Sequence, residues 1–320
     1  MRSVESQLLH RPAGLSAGDV VRHLLAVQAQ DIPSAYLAFR ARSATLTRAD
    51  VEAAWHDREI VRAWGPRGTL HFVHADDLPW LHTLTSRSLA GTQRRLAQEG
   101  VTGDDLLQLI DRALRGQGPL TKADLEARLA GRARGQGIVH LVALAAHHGL
   151  AVLAPPRGGK PTYVHAADWL GAPITPEPDR DRALAELALR YRRAHHPAEP
   201  DDLAAWSGLP LGDARTAWRL APAPGPPAGS EGPLVRLAPA FDEYLLGWKS
   251  RDPILAPEHS RAVFPGGGIL RPVVIADGRI GGTWTRKGAD ATVTPFADLP
   301  RRLLDAEIQD VRRFLAAQPR

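Results

Sequence analysis

The chain contains no cysteine and one methionine among its 320 residues. Without thiols there is no disulfide framework, no thiol nucleophile and no cysteine-ligated zinc or iron–sulfur cluster. No apolar run approaches the ~20 residues of a membrane span. The N-terminus, MRSVESQLLHRPAG, lacks the unbroken apolar core of a signal peptide, so the expected compartment is the cytoplasm. No phosphate-binding loop or dinucleotide fingerprint occurs. The doublets His147-His148 and His195-His196 have poor ligand geometry and no HExxH-like carboxylate spacing, so neither a metal nor a cofactor is expected.

At 44% hydrophobic and 23% charged, the composition is that of an ordinary globular protein. The length is too great for one small core and predicts two to four units. Arginine supplies nearly all of the positive charge, with a formal net charge of +5 and a pI of about 9.9. Its planar, bidentate donors suit phosphate and point to nucleic acid as a partner class, although arginine- and alanine-rich, cysteine-free chains also arise from a GC-rich genome.

Along the chain, Ser16 to Val27 reads as a helix capped by Ser16, with Val20, Val21, Leu24 and Leu25 at helical spacing. Pro33 opens a second helix, and Thr47 with Asp50 has capping-box spacing before a third. EIVRAWGPRGTLHFVHADD then reads as a β-hairpin around Gly-Pro-Arg-Gly. The phrase LTRADVEAAW at Leu46 returns as LTKADLEARL at Leu120, followed by a long helical stretch and a glycine-tipped hairpin, PRGGKPTYV. A weaker third copy spans Pro197 to Leu220. Helices followed by hairpins, repeated, predict tandem winged helix-turn-helix modules. Ala221 to Pro233 is a Pro/Gly-rich linker. Beyond it, strand-like runs around Asp277-Gly278 and a closing amphipathic helix predict a small sheet or barrel. The expected fold class is α+β, mostly helical. The expected divisions are 1–100, 101–170, 171–232 and 233–320.

Gln28 and Gln30 flank Ala29 where the first helix meets the second. Gln28 lies four residues after Leu24 and extends the apolar stripe. On a continuous helix the two amides would diverge, but they converge if the chain unwinds near Ala29, as Pro33 encourages. Taken alone, the pair also fits a capping or structural role.

Four stretches together carry a resemblance: LLAVQAQDIPSAYLAFRAR, VRAWGPRGTLHFVHADDLPWL, PAFDEYLLGWKSRD and GGGILRPVVIADGRIGGTW. In this order, across Val20 to Trp284, they resemble the AlkZ/YcaQ family of bacterial winged-helix DNA glycosylases. The family's Gln-aliphatic-Gln subgroup, AlkZ-like, matches Gln28-Ala29-Gln30. The resemblance implies tandem winged helices closed by a C-terminal β-barrel. It also implies hydrolysis of the N-glycosidic bond of N7-alkylated purines, including unhooking of interstrand crosslinks. The implied partner is double-stranded DNA carrying such purines, with no membrane and no obligate protein partner.

On this resemblance, Gln28 and Gln30 share water positioning and stabilisation of an oxocarbenium-like sugar, with no division of the roles between them. No lysine of the constellation suggests a Schiff base, so a monofunctional enzyme is expected. Arg67 and His71 are implied to contact DNA or support the site, and Gly266, Gly267 and Gly268 are implied to be the tip of a DNA-probing hairpin, a stretch that equally suits a plain flexible turn. Arg94, Arg95, Lys160 and Arg251 are further candidate DNA contacts, though each also suits a solvated surface. Asp242 and Tyr244 are candidate structural supports, Asp242 as the anchor of an arginine. Two other readings remain: a non-catalytic winged-helix DNA-binding protein or transcriptional regulator, and a protein-interaction scaffold.

Overall fold

The computed structural model describes residues 4–85, 90–225, 229 and 232–316; the linker-like stretch 221–233 lies partly outside them. The chain opens with α1 (Ala17–Leu24), β1 (Val27–Gln28), α2 (Ile32–Arg42), α3 (Arg48–His56), β2 (Ile60–Trp64) and β3 (Leu70–His74). It continues through α4 (Leu78–Thr85), α5 (Ala90–Gln98), α6 (Leu106–Leu114), β4 (Leu120–Thr121), α7 (Lys122–Arg128) and α8 (Gln136–His147). Then come β5 (Ala151–Arg157), β6 (Lys160–His165), α9 (Ala166–Leu170), α10 (Arg180–Ala194), α11 (Pro200–Ser207) and α12 (Leu211–Leu220). The last third holds β7 (Val235–Ala238), α13 (Glu243–Leu246), α14 (Ser260–Val263), β8 (Val273–Ala276), β9 (Arg279–Lys287), β10 (Asp290–Pro295) and α15 (Arg301–Ala316). Among the described residues, no helix is long and apolar enough to cross a membrane.

Local chemistry explains most of these boundaries. Ser16 accepts from the Asp19 N–H at 3.0 Å while the Asp19 carboxylate accepts from the Ser16 N–H at 2.9 Å, closing a capping box at α1. Thr47 with Asp50 and Thr121 with Asp124 repeat it, so both copies of the Leu-Thr-x-Ala-Asp phrase start a helix in the same way. The β2–β3 connection turns at Arg67 (φ 58°) and Gly68 (φ 71°). The β8–β9 connection turns at Asp277 (φ 46°) and Gly278 (φ 78°), as a tight primed hairpin turn requires.

The first helix is shorter than the pattern predicts. It stops at Leu24 because Leu25 adopts φ 72°, ψ −47°, which no α-helix accommodates, and the chain continues as β1. Two antiparallel sheets result. The first has the order β1-β3-β2-β5-β6-β4, so the two predicted hairpins are joined in one sheet, through Arg62 of β2 opposite Leu153 of β5.

The second sheet corrects the expected β-barrel. Its order is β10-β9-β8-β7, and β10 and β7 remain separate edges. Closure is unnecessary because both faces are already covered. Val235, Leu237, Val274 and Trp284 pack with Val311 and Phe314 of α15 and with α2 residues. Ala238, Val273, Ile275 and Ile280 face Tyr244, Leu245 and Trp248. Four strands with helix and loop cover on each side form a layered stack, not a self-filled cylinder.

The helix that follows the Gln-Ala-Gln motif is locked to this C-terminal unit by two buried arginines. Arg40 of α2 reaches Glu307 at 3.1 Å and Asp310 at 2.8 Å on α15. Arg42 grips both oxygens of Asp242 at 2.8 and 2.9 Å.

Candidate active site

Gln28 and Gln30 lie at the start of the six-stranded sheet, not on a helix. Val27 and Ala29 are buried, whereas Gln28 is half-buried and Gln30 exposed, the alternation of an extended chain. Gln28 ends β1 and Gln30 lies in the bend just beyond it, so the chain that leaves α1 as a short strand is what takes both amides off the helix. Ala29 N donates to the Leu70 carbonyl at 2.8 Å, which makes 29 and 70 a hydrogen-bonded pair. Gln28 opposite His71 is therefore the close, non-hydrogen-bonded pair.

The two amides are in different states. The Gln30 Oε1 accepts from the Leu70 N–H at 3.3 Å, so one lone pair of its oxygen is engaged, while its NH2 makes no hydrogen bond among the described residues. The Gln28 amide has no hydrogen bond among the described residues and is free to present its carbonyl.

Beside Gln28, on the neighbouring strand, His71 is fully buried. Its Nδ1 lies 3.0 Å from the Thr69 carbonyl, an acceptor, which places the proton on Nδ1 and the lone pair on Nε2. Burial pushes its pKa down to about 4 against the opposing influence of Glu243. Gly65 makes room for the ring, since a Cβ there would sit 3.2 Å from Nδ1. Behind His71, the buried Glu243 accepts from Trp206 Nε1 at 2.8 Å, with His195 Nε2 at 3.8 Å. Burial by itself would raise the Glu243 pKa; His195, Arg67 and His71 outweigh it, and the carboxyl is held below its ordinary range. Arg67 donates to the Trp206 carbonyl.

The neutral His71 gives a stability prediction. Its folded pKa is depressed, so the unfolded chain binds the proton more tightly in acid. Stability is intact above the free value of about 6.5 and declines as pH falls toward 4. Burial depresses His23 and His195 in the same direction. Thermal melts are expected to drop through this window, less steeply in His71→Gln. A melting temperature flat from pH 7 to 4.5 would contradict it.

Of the other candidates, Arg251 lies near this cluster. Its Nε donates to the Leu245 carbonyl at 2.9 Å, and its guanidinium stacks 4.7 Å over the Phe264 ring. The Phe264 loop leads to Gly266, Gly267 and Gly268, all at positive φ in a tight turn bridged from Gly266 to the exposed Ile269. Asp242 anchors Arg42 and caps α13, and Tyr244 Oη donates to the Gly278 carbonyl at 2.9 Å. Arg94 and Arg95 are exposed on α5, and Lys160 is exposed beside the Gly158-Gly159 tip between β5 and β6. None of these three makes a hydrogen bond to the Gln28 cluster among the described residues.

Sequence reasoning missed Arg62, Glu243, His195 and Trp206. The available signal was a single charge inside an otherwise apolar strand, IVRAW, and a second carboxylate beside Asp242.

The family model described as DNA glycosylase AlkZ-like matches residues 21–317. An interstrand DNA cross-link repair glycosylase from Streptomyces sahachiroi is 29% identical, covering 97% of this chain and 94% of that protein. The solved structure of Streptomyces sahachiroi DNA glycosylase AlkZ superposes with a TM-score of 0.80 at 28% identity. That match covers 98% of this chain and 94% of the other.

Proposed function

Because the chain belongs to the AlkZ-like DNA glycosylase family, we propose that it releases N7-alkylated purines from duplex DNA and unhooks interstrand crosslinks, with Gln28 and Gln30 at the reacting centre. The observation that carries this reading is the pair of amides at the end of β1, the Gln30 oxygen bonded to the Leu70 N–H and the Gln28 amide without a hydrogen bond among the described residues. The crosslink is the substrate class named for the Streptomyces sahachiroi relative.

N7 alkylation makes the purine cationic, so the glycosidic electron pair leaves with the base and neutralises it. Positive charge passes to the sugar. Water bonds to C1′ and loses its proton to solvent, leaving an abasic site. An amide is too weak a base to drive this, but a carbonyl dipole can stabilise the cation and orient the water. Gln28 takes that role, because its oxygen is free. Gln30 offers N–H donors to the water or to the lesion. A neutral His71 beside them adds no opposing charge, and the ionised Glu243 behind it offsets Arg67. Without a lysine at the centre, the enzyme is monofunctional.

In this reading residues 1–100 and 101–170 are winged-helix modules side by side, 171–232 is a third helical module, and 233–320 closes the cleft. Arg67, Arg251 and the turn at Gly266–Gly268 contact DNA near the lesion, and Arg94, Arg95 and Lys160 bind phosphate farther away.

The test is base release from a duplex with one N7-methylguanine, followed by alkali. Strand scission only after alkali is expected, with a nitrogen-mustard crosslink also resolved. Tight binding to one undamaged sequence without release would mark a regulator instead.

A further inference from the structure

We propose that Arg62 is a positioning residue for the Gln28–Gln30 motif, clamping the peptide that carries both amides. Arg62 lies in β2 opposite Phe72, whereas Gln28 stands opposite His71, so Arg62 works from the other face of the sheet. Its Nε donates to the Ala29 carbonyl at 2.9 Å and its Nη2 to the Gln30 carbonyl at 3.5 Å. With Ala29 N held by the Leu70 carbonyl and the Gln30 side chain held by the Leu70 N–H, the segment is tied at several points, all from the β3 side of the sheet. Those contacts fix the Cα–Cβ directions at 28 and 30, and hence where the amides point.

The energetics favour a function over simple packing. Arg62 is 4% exposed, and its side-chain hydrogen bonds go to two backbone carbonyls, not to a carboxylate. Burial brings its pKa down to about 10, opposed by Tyr163, Tyr36 and Asp31, so it stays cationic at neutral pH. A buried charge with no carboxylate in direct contact is costly, and an apolar side chain of similar volume would generally be more stable there. Two adjacent carbonyls at one end of a two-residue strand need a rigid, forked donor, which guanidinium provides and ammonium does not. The Arg62 backbone also joins the two hairpins by pairing with Leu153, so the second hairpin and the motif are registered through one residue.

This inference rests on the reading of Gln28 and Gln30 as the catalytic pair, and the experiment separates the two. Wild type, Arg62→Met, Arg62→Lys and Gln28→Ala would be compared on a duplex carrying one N7-methylguanine. Four quantities would be measured: single-turnover release at saturating enzyme, duplex affinity, its salt dependence, and the melting temperature. Arg62→Met is expected to slow release about 100-fold, the loss that follows a misplacement of about 1 Å. Affinity and salt slope should stay at wild type, and Arg62→Lys should recover part of the rate. A folded Arg62→Met with wild-type release overturns the assignment. So does unchanged release at saturation with weaker binding and a salt slope smaller by about one, the mark of a phosphate ligand. Should Arg62→Met fail to fold, Arg62→Lys decides: reduced release at wild-type stability supports the clamp, and wild-type release overturns it. Full release by Gln28→Ala would instead defeat the catalytic reading itself.

Discussion

Replacing Gln28 with alanine is expected to lower single-turnover base release by about 10²- to 10³-fold, the usual cost of removing a preorganised electrostatic group from a reacting centre. The effect should fall on the rate, with duplex affinity unchanged, because the interaction strengthens only as the sugar becomes cationic. Gln30→Ala should cost less, about tenfold, in line with one ordinary hydrogen bond. Gln30→Glu keeps an acceptor for the Leu70 N–H but exchanges the NH2 donors for a negative charge, so a rate above that of Gln30→Ala would report electrostatic help to the cationic sugar. A larger loss for Gln30 than for Gln28 would reverse the assignment of roles. Wild-type release by the Gln28 variant would move the reacting centre elsewhere.

The second large effect is on stability. Asp242→Ala is expected to destabilise the fold by about 3–5 kcal/mol, the cost of stranding a fully buried charge. The Arg42 side chain is 0% exposed and would retain only Gln7 Oε1 and the Ala38 carbonyl as partners. The same substitution removes the cap of α13 at Tyr244 N. The corresponding drop in melting temperature is on the order of 10 °C for a chain of this size. Removing both charges, with Arg42→Met and Asp242→Leu, should recover much of the loss, because the penalty arises from the unpaired partner. If the single and double variants melt together near wild type, the pair contributes little and α2 is held chiefly by its apolar face and Arg40.

The sequence by itself determined features set within a few residues. The capping boxes at Ser16, Thr47 and Thr121 lie within three residues of their partners, and the Gly-Pro-Arg-Gly and Asp-Gly turns depend on their own backbone preferences. It also carried the family, through four stretches whose order tolerates local uncertainty.

The end of α1 was not legible. Leu25 is an ordinary helix former, and its positive φ is imposed by the pairing of β1 with β3, some 45 residues on. The release of both glutamines from the helix followed from that same long-range contact. Arg62 looked like a stray charge in a strand, because its carbonyl partners are 33 and 32 residues away. Arg42 and Asp242, 200 residues apart, could be recognised only once α2 lay against the C-terminal unit. The open sheet in place of a barrel was decided likewise, since strand patterning shows which faces are buried but not what covers them. Local preference fixes caps and turns; only packing between distant segments decides which buried polar group meets its partner.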